Sequence, residues 1–267
     1  MQFHNTNYGL AMTKQTHKTI TMPFFKLAWL AERIAAFSQG KGYGTASIKK
    51  ENDIVHKLLK RIPTLAIDIG GNVGDYTAEI RRRNPNAEIH IFEPSATNIQ
   101  KLNQRFGKET NIKILPYAVS NDAGSATLFA NEPGSGLGSL TQRKLEHFNI
   151  DFKFKESVNT IRFEDYWHSN LNGRKIDIVK IDIEGHELSA LKGFGKAIRS
   201  TKLIQFEFGG CNIDTRTYFQ DFWYFFKELN FDLFRITPFG AESIKTYRES
   251  EEYFSTTNYI AVNKNLK

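Results

Sequence analysis

Cysteine is almost absent from this chain, and the absence limits the kinds of protein it can be. Cys211 is the single cysteine among 267 residues, so an intramolecular disulfide framework is excluded. One cysteine is typical of a reducing compartment, and we predict a cytoplasmic location. The chain also lacks the uninterrupted run of about 20 apolar residues that a membrane-spanning helix requires. Its most apolar stretch, residues 21–37, is interrupted by Lys26, Glu32 and Arg33.

Residues 1–62 differ in charge from the rest of the chain, and we predict that they form a basic helical extension to a domain at 63–267. They hold ten lysines and arginines against three acidic residues, which accounts for the whole net charge of +7. Basic and acidic residues balance in the remainder, so a nucleic-acid groove across the main domain is not indicated. We therefore predict no nucleic-acid partner.

The stretch at 21–37 has the spacing of an amphipathic helix. We expect this helix to pack on the domain or on another subunit, which would give a homo-oligomer. Docking at a membrane surface and a targeting role are less favoured. A signal peptide is a poor fit, because no clean apolar region precedes a small-residue cleavage site. A mobile tail is expected at 1–19 and a second helix at 47–61. The apolar residues at helical spacing are Leu27, Leu30, Ile34 and Phe37.

Strand and helix signals alternate from residue 64 onward, which predicts a mainly parallel α/β sheet with helices on both faces. No helix pattern separates the last two strands, so we expect them to pair antiparallel. Residues 121–162 contain short alternating runs and many glycines, which predicts a hairpin-like insertion that forms a lid or a substrate wall. Strands are expected near 65–69, 88–93, 112–116, 176–181, 202–208, 231–236 and 258–263, and helices near 75–83, 95–106, 185–199 and 215–229.

A glycine-rich turn follows the first strand, in the segment Asp68-Ile-Gly-Gly-Asn-Val-Gly74. It lacks the G-x-G-x-x-G spacing of dinucleotide-binding turns, and no Gly-Lys-Ser/Thr of a phosphate loop follows it. A strand, a bare glycine turn and a helix N-terminus together form a ligand cradle. The segment has an acidic residue but no cationic side chain to hold a phosphate, which suits a ligand that has no phosphates. The predicted cofactor-binding residues of this turn are Asp68, Gly70, Gly71, Asn72 and Gly74.

Glu93 ends the second strand, 25 residues after Asp68, and this spacing suits a carboxylate that binds the ribose hydroxyls of a nucleotide. Pro94 fixes the chain as it leaves the sheet, and Ser95 is expected to cap the next helix. After the third strand, small residues around Ala118 leave room for a flat ring beside the backbone. We predict that Glu93 and Ala118 bind the cofactor.

The densest group of acidic residues runs from Asp182 to Glu187 and includes His186. It follows a strand, so we expect it to face the same crevice as the glycine turn. Carboxylates around one histidine indicate a general base or a divalent metal, but the spacing matches no recognised metal motif and we predict no metal. Capping of a helix N-terminus is the structural alternative for Glu184 and Glu187. Glu207, at the end of the next strand, is expected to lie beside Asp182.

These motifs together resemble the FkbM family of S-adenosylmethionine-dependent methyltransferases over about residues 64–240. The similarity rests on the glycine turn, on Phe-Glu93-Pro, on Ala118-Val-Ser and on the segment Lys-Ile-Asp182-Ile-Glu-Gly-His-Glu. It implies a Rossmann-like class I fold, with a seven-stranded, mostly parallel sheet whose last strand is antiparallel. Gly71, where the family commonly has alanine, is a mild departure.

The resemblance also implies methyl transfer to a hydroxyl on a sugar, a glycolipid or a polyketide-type acceptor. S-adenosylmethionine would be held by the Gly70–Gly74 backbone, with Glu93 on its ribose and residues near Ala118 beside its adenine. Asp182 would lie near the methionine amine or the methyl group. The candidate catalytic residues are Asp182, His186, Glu184 and Glu207.

His186 is the first candidate for the base that removes the hydroxyl proton, with Glu184 and Glu207 behind it. One alternative is a scaffold that binds S-adenosylmethionine but has lost activity. An NAD-dependent dehydrogenase is a weaker alternative, because the glycine spacing speaks against it. The acceptor, its reacting atom and the role of residues 1–62 stay open at this point.

Overall fold

The computed structural model describes residues 23–44 and 47–266, so the tail expected at 1–19 lies outside the described residues. The chain divides into a small unit that ends at Ala35 and a compact unit that begins at Ala36. Helix α1 (Pro23–Ser38) confirms the expected N-terminal helix. Among the described helices, none is both long and apolar enough to cross a membrane. Large apolar side chains that α1 exposes are Phe24, Phe25, Leu27, Trp29, Leu30 and Ile34.

The described part of the compact unit contains eleven strands in two sheets. The strands are β1 (Leu65–Ile69), β2 (Glu88–Phe92), β3 (Ile112–Leu115), β4 (Ala118–Ser120), β5 (Gly124–Ala130), β6 (Phe154–Arg162), β7 (Ile176–Ile181), β8 (Thr201–Phe208), β9 (Phe231–Thr237), β10 (Gly240–Ser243) and β11 (Thr257–Asn263). The larger sheet has the order β10-β9-β11-β8-β7-β1-β2-β3, and the smaller one has the order β4-β6-β5.

The larger sheet confirms the predicted parallel α/β architecture. Strands β3, β2, β1, β7 and β8 run parallel, and β11 lies antiparallel between β8 and β9. The sheet has eight strands rather than the expected seven, because the chain turns back after Thr237 and adds β10 at the edge. The Thr237 hydroxyl stabilises this turn: it accepts the Phe239 N–H at 3.1 Å and donates to the Gly240 carbonyl at 3.0 Å.

Helices cover both faces of this sheet, as predicted. Along β1 the side chains alternate, so that Leu65, Ile67 and Ile69 face one core and Ala66 faces the other. The Ala66 side is covered by α2 (Ile48–Leu59), α3 (Asp75–Arg83) and α4 (Ala96–Phe106). The opposite side is covered by α5 (Phe163–Leu171), α6 (Glu187–Gly193) and α8 (Phe219–Glu228).

The smaller sheet arises from the glycine-rich insertion. Strands β5 and β6 pair antiparallel, as the hairpin-like pattern predicts, and β4 adds to β6 in parallel. The long connection between β5 and β6 returns to the sheet through a bridge between Phe129 and Ser139. The insertion is therefore an ordered part of the compact unit.

Three helical segments differ from the expectation. The helix expected at 185–199 is the shorter α6, because a 3₁₀ segment follows from Gly195, whose φ of 47° ends the α-helix. The helix expected at 215–229 is divided into α7 (Cys211–Thr215) and α8, because Arg216 takes a left-handed conformation between them. Helix α5 was not expected, although its buried residues have helical spacing: Phe163, Tyr166, Trp167 and Leu171.

Candidate active site

The carboxyl ends of β1, β2, β7 and β8 border a cavity of about 320 Å³, which we call the main cavity. This is the edge of the sheet at which parallel α/β folds bind their ligands. The smaller sheet adds apolar lining through Leu128 of β5 and Phe154 of β6. Eight of the residues singled out in the sequence line this cavity: Gly70, Asn72, Glu93, Ala118, Asp182, Glu184, His186 and Glu207.

A second cavity of about 240 Å³ adjoins the main one. The two are adjacent because Gly44, Gly70, Asn72 and Asp182 line both. Of the predicted site residues, Asp68 and Gly71 line only the second cavity.

The glycine turn brings backbone, rather than side chain, to the cavities. Gly70 has a φ of 81°, and a Cβ added to it would lie 1.9 Å from the Asp182 carbonyl oxygen. The N–H groups of Gly70 and Gly71 both donate to the Phe92 carbonyl, at 2.9 and 3.2 Å. Because these two N–H groups already have an acceptor within the protein, the role of the glycines is to allow the backbone to approach closely. At Gly71 an alanine Cβ would lie 2.1 Å from Ile91 Cγ2, so Ile91 would have to shift.

Gly74 lies outside the lining of both cavities. It precedes α3 with a φ of 85°, and an added Cβ would lie 2.4 Å from the ring of Phe106. Close packing of α3 against α4 explains this glycine.

Asp68 also differs in surroundings from the other predicted residues. It is buried on the α3 side of β1, where its carboxylate accepts the Thr77 hydroxyl at 2.7 Å. Burial raises the pKa of Asp68 to about 6, and the hydrogen bond from Thr77 opposes this change.

Glu93 is 5% exposed at the end of β2, and its two carboxylate oxygens accept backbone N–H groups. Asn72 donates at 2.8 Å and Ser95 donates at 2.9 Å. Burial raises the pKa of Glu93 to about 7 in spite of these bonds. The bonds fix the carboxylate at the edge of the main cavity, and each oxygen keeps capacity for a further donor.

Unsatisfied polar atoms beside Glu93 indicate a ligand at this end of the main cavity. Ser95 Oγ and Asn98 Oδ1 are buried, line the cavity and have no hydrogen-bond partner among the described residues. Ser95 precedes α4, but its side chain makes no capping hydrogen bond, contrary to the expectation. Ala118 and Leu128 add apolar surface nearby. A carboxylate, orphaned polar atoms and an apolar wall fit the ribose and the flat base of a nucleoside.

Asp182 directly follows β7, where its N–H donates to the Ile69 carbonyl at 3.0 Å. Its carboxylate accepts the Lys180 ammonium at 3.1 Å, and its side chain is 38% exposed. The side chain is thus held between the two cavities and stays accessible from them.

Arg143 reaches the acidic group from the insertion. Its guanidinium forms an ion pair with Glu184, and its Nε lies 3.5 Å from the Asp214 carboxylate. Ser139 fixes the same loop by donating to the Glu184 carbonyl at 2.8 Å. Burial and the nearby Asp182 carboxylate raise the pKa of Glu184 to about 7, and Arg143 opposes this increase. The insertion therefore supplies the positive charge that the acidic group requires.

Glu207 ends β8 beside this group and is 8% exposed. Its carboxyl group makes no hydrogen bond to another described residue. Burial, together with the Asp182 and Glu184 carboxylates, raises the pKa of Glu207 well above its usual value. Glu184, Glu207 and Cys211 each place a possible metal-ligand atom within 4.8 Å of the others. Arg143 already pairs with one member of this set, Glu184.

Glu187 has a structural role in the turn after β7. It is fully buried, and one of its oxygens accepts the N–H groups of Ile183 and Gly185 at 3.0 and 3.1 Å. The N–H groups that it accepts precede α6, so Glu187 anchors the turn before the helix rather than capping the helix N-terminus.

His186 lies at the main cavity with its Nε2 2.9 Å from Ser120 Oγ. Ser120 Oγ also lies 3.1 Å from Asn121 Oδ1, an oxygen to which its hydroxyl can donate. Asn121 is oriented in turn by donation to Asp122 at 2.6 Å. A ring that donates from Nε2 to Ser120 keeps a lone pair on Nδ1. Burial lowers the pKa of His186, which favours the neutral ring.

The sequence did not single out several residues of the site, because their roles depend on tertiary contacts. Arg143 lies in the insertion, and the excess of carboxylates near Asp182 was the sign that a buried cation was needed. Lys180 and Ser120 belong to the quoted motifs, but their spacing alone shows no role. Glu51 lies in α2, where it interrupts the buried stripe that contains Val55 and Leu59.

This chain is similar to proteins that are named as methyltransferases. The 2-O-methyltransferase NoeI of Sinorhizobium fredii is 27% identical over 189 residues, covering 67% of this chain and 76% of that protein. The hexuronic acid methyltransferase AglP of Haloferax volcanii is 24% identical over 160 residues, covering 59% of this chain and 62% of that protein. A solved methyltransferase FkbM from Methylobacillus flagellatus superposes with a TM-score of 0.47 at 15% identity, over 87% of this chain and 60% of that one.

A model of the methyltransferase FkbM domain matches residues 68–233, more than half of the chain. The matched segment begins at the acidic residue of the glycine turn and includes Glu93, Asp182 and Glu207. The chain therefore belongs to the FkbM family of S-adenosylmethionine-dependent methyltransferases.

Proposed function

We propose that this methyltransferase acts on a hydroxyl group of a sugar, a glycolipid or a polyketide-type acceptor. The names of two relatives, a 2-O-methyltransferase and a hexuronic acid methyltransferase, support hydroxylated acceptors of the sugar class. The observation that carries the proposal is the position of His186, which lies at the main cavity with its ring held by Ser120 and its pKa lowered by burial.

The cofactor, when bound, supplies an electrophilic methyl group. The protein has to align the acceptor oxygen with that group and to remove the hydroxyl proton as the new bond forms. Glu93, Ser95 and Asn98 hold the ribose in this proposal, and the apolar surface around Ala118 lies against the adenine. Asp182 fixes the amino-acid end, so that the reacting centre lies near His186 and Glu207.

His186 is the proposed base because its lone pair needs no prior loss of a proton at neutral pH. In this proposal Nε2 carries the ring hydrogen and donates it to Ser120, which fixes the orientation of the ring. An acceptor hydroxyl that donates to Nδ1 would transfer its proton there.

Glu184 and Glu207 are the other candidates, and their surroundings suit different roles. Glu184 is held by Arg143, so it is less free to take a proton. Burial and like charges favour the protonated form of Glu207. A protonated carboxyl group at the cavity can donate a hydrogen bond to the acceptor oxygen, and we assign this orienting role to Glu207.

The catalytic domain in this proposal is residues 63–267, and helix α2 of the extension packs on it through buried Val55 and Leu59. The cytoplasmic location and pairing of subunits through α1 stay predictions. Size-exclusion chromatography with light scattering would test the pairing, and a purely monomeric full-length chain would contradict it.

A product assay tests the proposed function. The full chain is incubated with S-adenosylmethionine and a panel of mono- and oligosaccharides, glycolipids and hydroxylated polyketides, and S-adenosylhomocysteine is measured. Acceptor-dependent product is expected with at least one member of the panel and is expected to be lost in Asp182→Ala. Tight cofactor binding without product for any member would favour the inactive scaffold.

A further inference from the structure

Helix α1 exposes most of its large apolar side chains. Phe24, Leu27 and Ile34 are 74%, 64% and 63% exposed, respectively. Single exposed apolar residues are common at protein surfaces, but a contiguous set of this size on one helix marks an interaction surface. Helix α1 therefore requires a partner that the described residues do not supply.

The apolar side chains of α1 are concentrated on one side of the helix. At 3.6 residues per turn, the arc from Ile34 to Ala28 covers roughly 120° of the helix circumference. Ser38, the last residue of α1, is the one polar residue within this arc. We call the arc the apolar face of α1, and its apolar residues are Phe24, Leu27, Ala28, Ala31, Ile34 and Ala35.

Cationic side chains lie on the opposite side of α1. Lys26 and Arg33 are seven residues apart, so they project in nearly the same direction, and both are exposed. The Arg33 guanidinium lies over the Trp29 ring, 4.7 Å from its centroid. Glu32 is the one acidic residue of α1. An apolar face opposed by cations and aromatic residues is typical of a helix that lies in the interface of a membrane.

The charge of the surrounding sequence complements an anionic surface. Residues 1–50 contain seven lysines and arginines but only one acidic residue, whereas basic and acidic residues balance over 63–267. A second copy of the chain is the competing occupant of the apolar face. Its docking would bring two basic segments together, and like charges oppose that contact. Anionic lipid headgroups attract the same segment, so the charge favours a lipid surface.

We propose that the apolar face of α1 binds an anionic lipid surface. The helix axis would lie in the plane of the surface, with Leu27 and Ile34 at the boundary between headgroups and acyl chains. The lysines and arginines of residues 1–50 would contact the headgroups. Docking would concentrate the chain at surfaces that carry glycolipids, one of the acceptor classes proposed above. The docking itself does not depend on which acceptor is methylated.

Sedimentation of the full chain with lipid vesicles tests the proposal without any variant. One set of vesicles is phosphatidylcholine alone, and the other contains roughly one third phosphatidylglycerol. We expect the anionic vesicles to bind the chain at least about tenfold more tightly than the neutral ones. Added salt should weaken this binding, because it screens the attraction of the headgroups.

Two substitutions on the apolar face test its part in the binding. Leu27→Gln/Ile34→Gln should weaken binding to the anionic vesicles by about tenfold or more, because less apolar area is buried. Leucine and glutamine have similar helix propensities, so circular dichroism should show little change. Ile213→Gln/Phe239→Gln is the matched control, because these side chains are 52% and 85% exposed on the compact unit. Its affinity should stay within about twofold of wild type.

Two substitutions of cations test the electrostatic part. Lys26→Gln/Arg33→Gln should weaken binding to the anionic vesicles by about tenfold and leave binding to the neutral vesicles nearly unchanged. Lys101→Gln/Lys108→Gln removes the same amount of charge from exposed positions in and after α4, and it should have a much smaller effect.

Equal binding to neutral and anionic vesicles, or full binding by Leu27→Gln/Ile34→Gln, would overturn the proposal. Failure of the wild-type chain to bind anionic vesicles would also overturn it. If light scattering then showed a dimer that this variant dissociates, the apolar face would be a subunit interface instead. None of these results depends on methyl transfer, so they are separate from a failure of the proposed function.

Discussion

His186 Nε2 lies 2.9 Å from Ser120 Oγ, and this hydrogen bond joins the turn after β7 to the end of β4. These elements are 66 residues apart in sequence, and the insertion begins directly after Ser120. The bond fixes the rotation of the imidazole ring. The proposed base at the main cavity is therefore oriented by the same segment that leads into the smaller sheet.

Removal of His186 is expected to affect turnover rather than cofactor binding. His186→Ala should lower kcat by about 100-fold or more, the usual contribution of a positioned general base. Calorimetry with S-adenosylhomocysteine should give a Kd within about twofold of wild type. The exposed His168 on α5 provides the control variant His168→Ala. If kcat were unchanged in His186→Ala, another group would have to be the base.

Removal of Ser120 should have a smaller effect of the same kind. In Ser120→Ala the ring loses its acceptor, and we expect kcat to fall roughly tenfold, as when a supporting hydrogen bond is lost. The melting temperature and the Kd for S-adenosylhomocysteine should stay near wild type. A parallel loss of cofactor affinity would show that Ser120 acts on the binding site as a whole.

Asp182→Ala is expected to abolish turnover with an identified acceptor. Asp182 follows β7 and lines both cavities, so its removal disturbs cofactor alignment directly. Its side chain is 38% exposed, and circular dichroism should show a folded variant. Asp165→Ala, an exposed aspartate on α5, is the control. Full activity of Asp182→Ala would refute its assignment to the site.

Arg143 is expected to stabilise the fold as well as the site. Its side chain is 10% exposed and that of Glu184 is 17% exposed, so Arg143→Met leaves a largely buried carboxylate unpaired. We expect chemical denaturation to show a loss of about 3 kcal/mol in the free energy of unfolding. The double variant Arg143→Met/Glu184→Gln should recover part of this loss.

An exposed ion pair provides the comparison for Arg143. Arg174, whose side chain is 49% exposed, pairs with Glu88 at 2.8 Å. Arg174→Met should cost less than about 1 kcal/mol. Equal losses in the two single variants would show that burial of the Arg143 pair has no special importance.

Glu93 should make the stability of the unliganded chain fall as pH rises. Its pKa increases on folding from 4.5 to about 7, so the folded state holds a proton that the unfolded state releases in this window. The free energy of unfolding should then decrease between these two pH values, by up to roughly 3 kcal/mol from this group. Glu93→Gln removes the titration, so its stability should change less over the same range.

Urea denaturation at a series of pH values measures this difference. Glu146→Gln alters an exposed glutamate and should follow the wild-type curve. Identical pH dependence of wild type and Glu93→Gln would show that the Glu93 carboxyl group titrates alike in both states.

Local motifs in the sequence predicted the parts of the site that lie next to one another along the chain. The turn at Gly70, the strand-end Glu93 and the group after β7 could be predicted because each follows a strand. Arg143 and Glu51 could not, because their partners lie 41 and 154 residues away in sequence. Helix α5 was not predicted from the sequence, because it begins at Phe163, directly after β6 ends at Arg162, with no turn signal between them. Such contacts are fixed by packing, which a single sequence does not display.

Transfer of an isotope-labelled methyl group, followed by nuclear magnetic resonance of the product, tests the central claim most directly. The full chain, labelled S-adenosylmethionine and the best acceptor from the panel are combined, and the atom that carries the label is identified. We predict a label on a hydroxyl oxygen, with Asp182→Ala giving none. A label on nitrogen or carbon would contradict the proposed O-methylation.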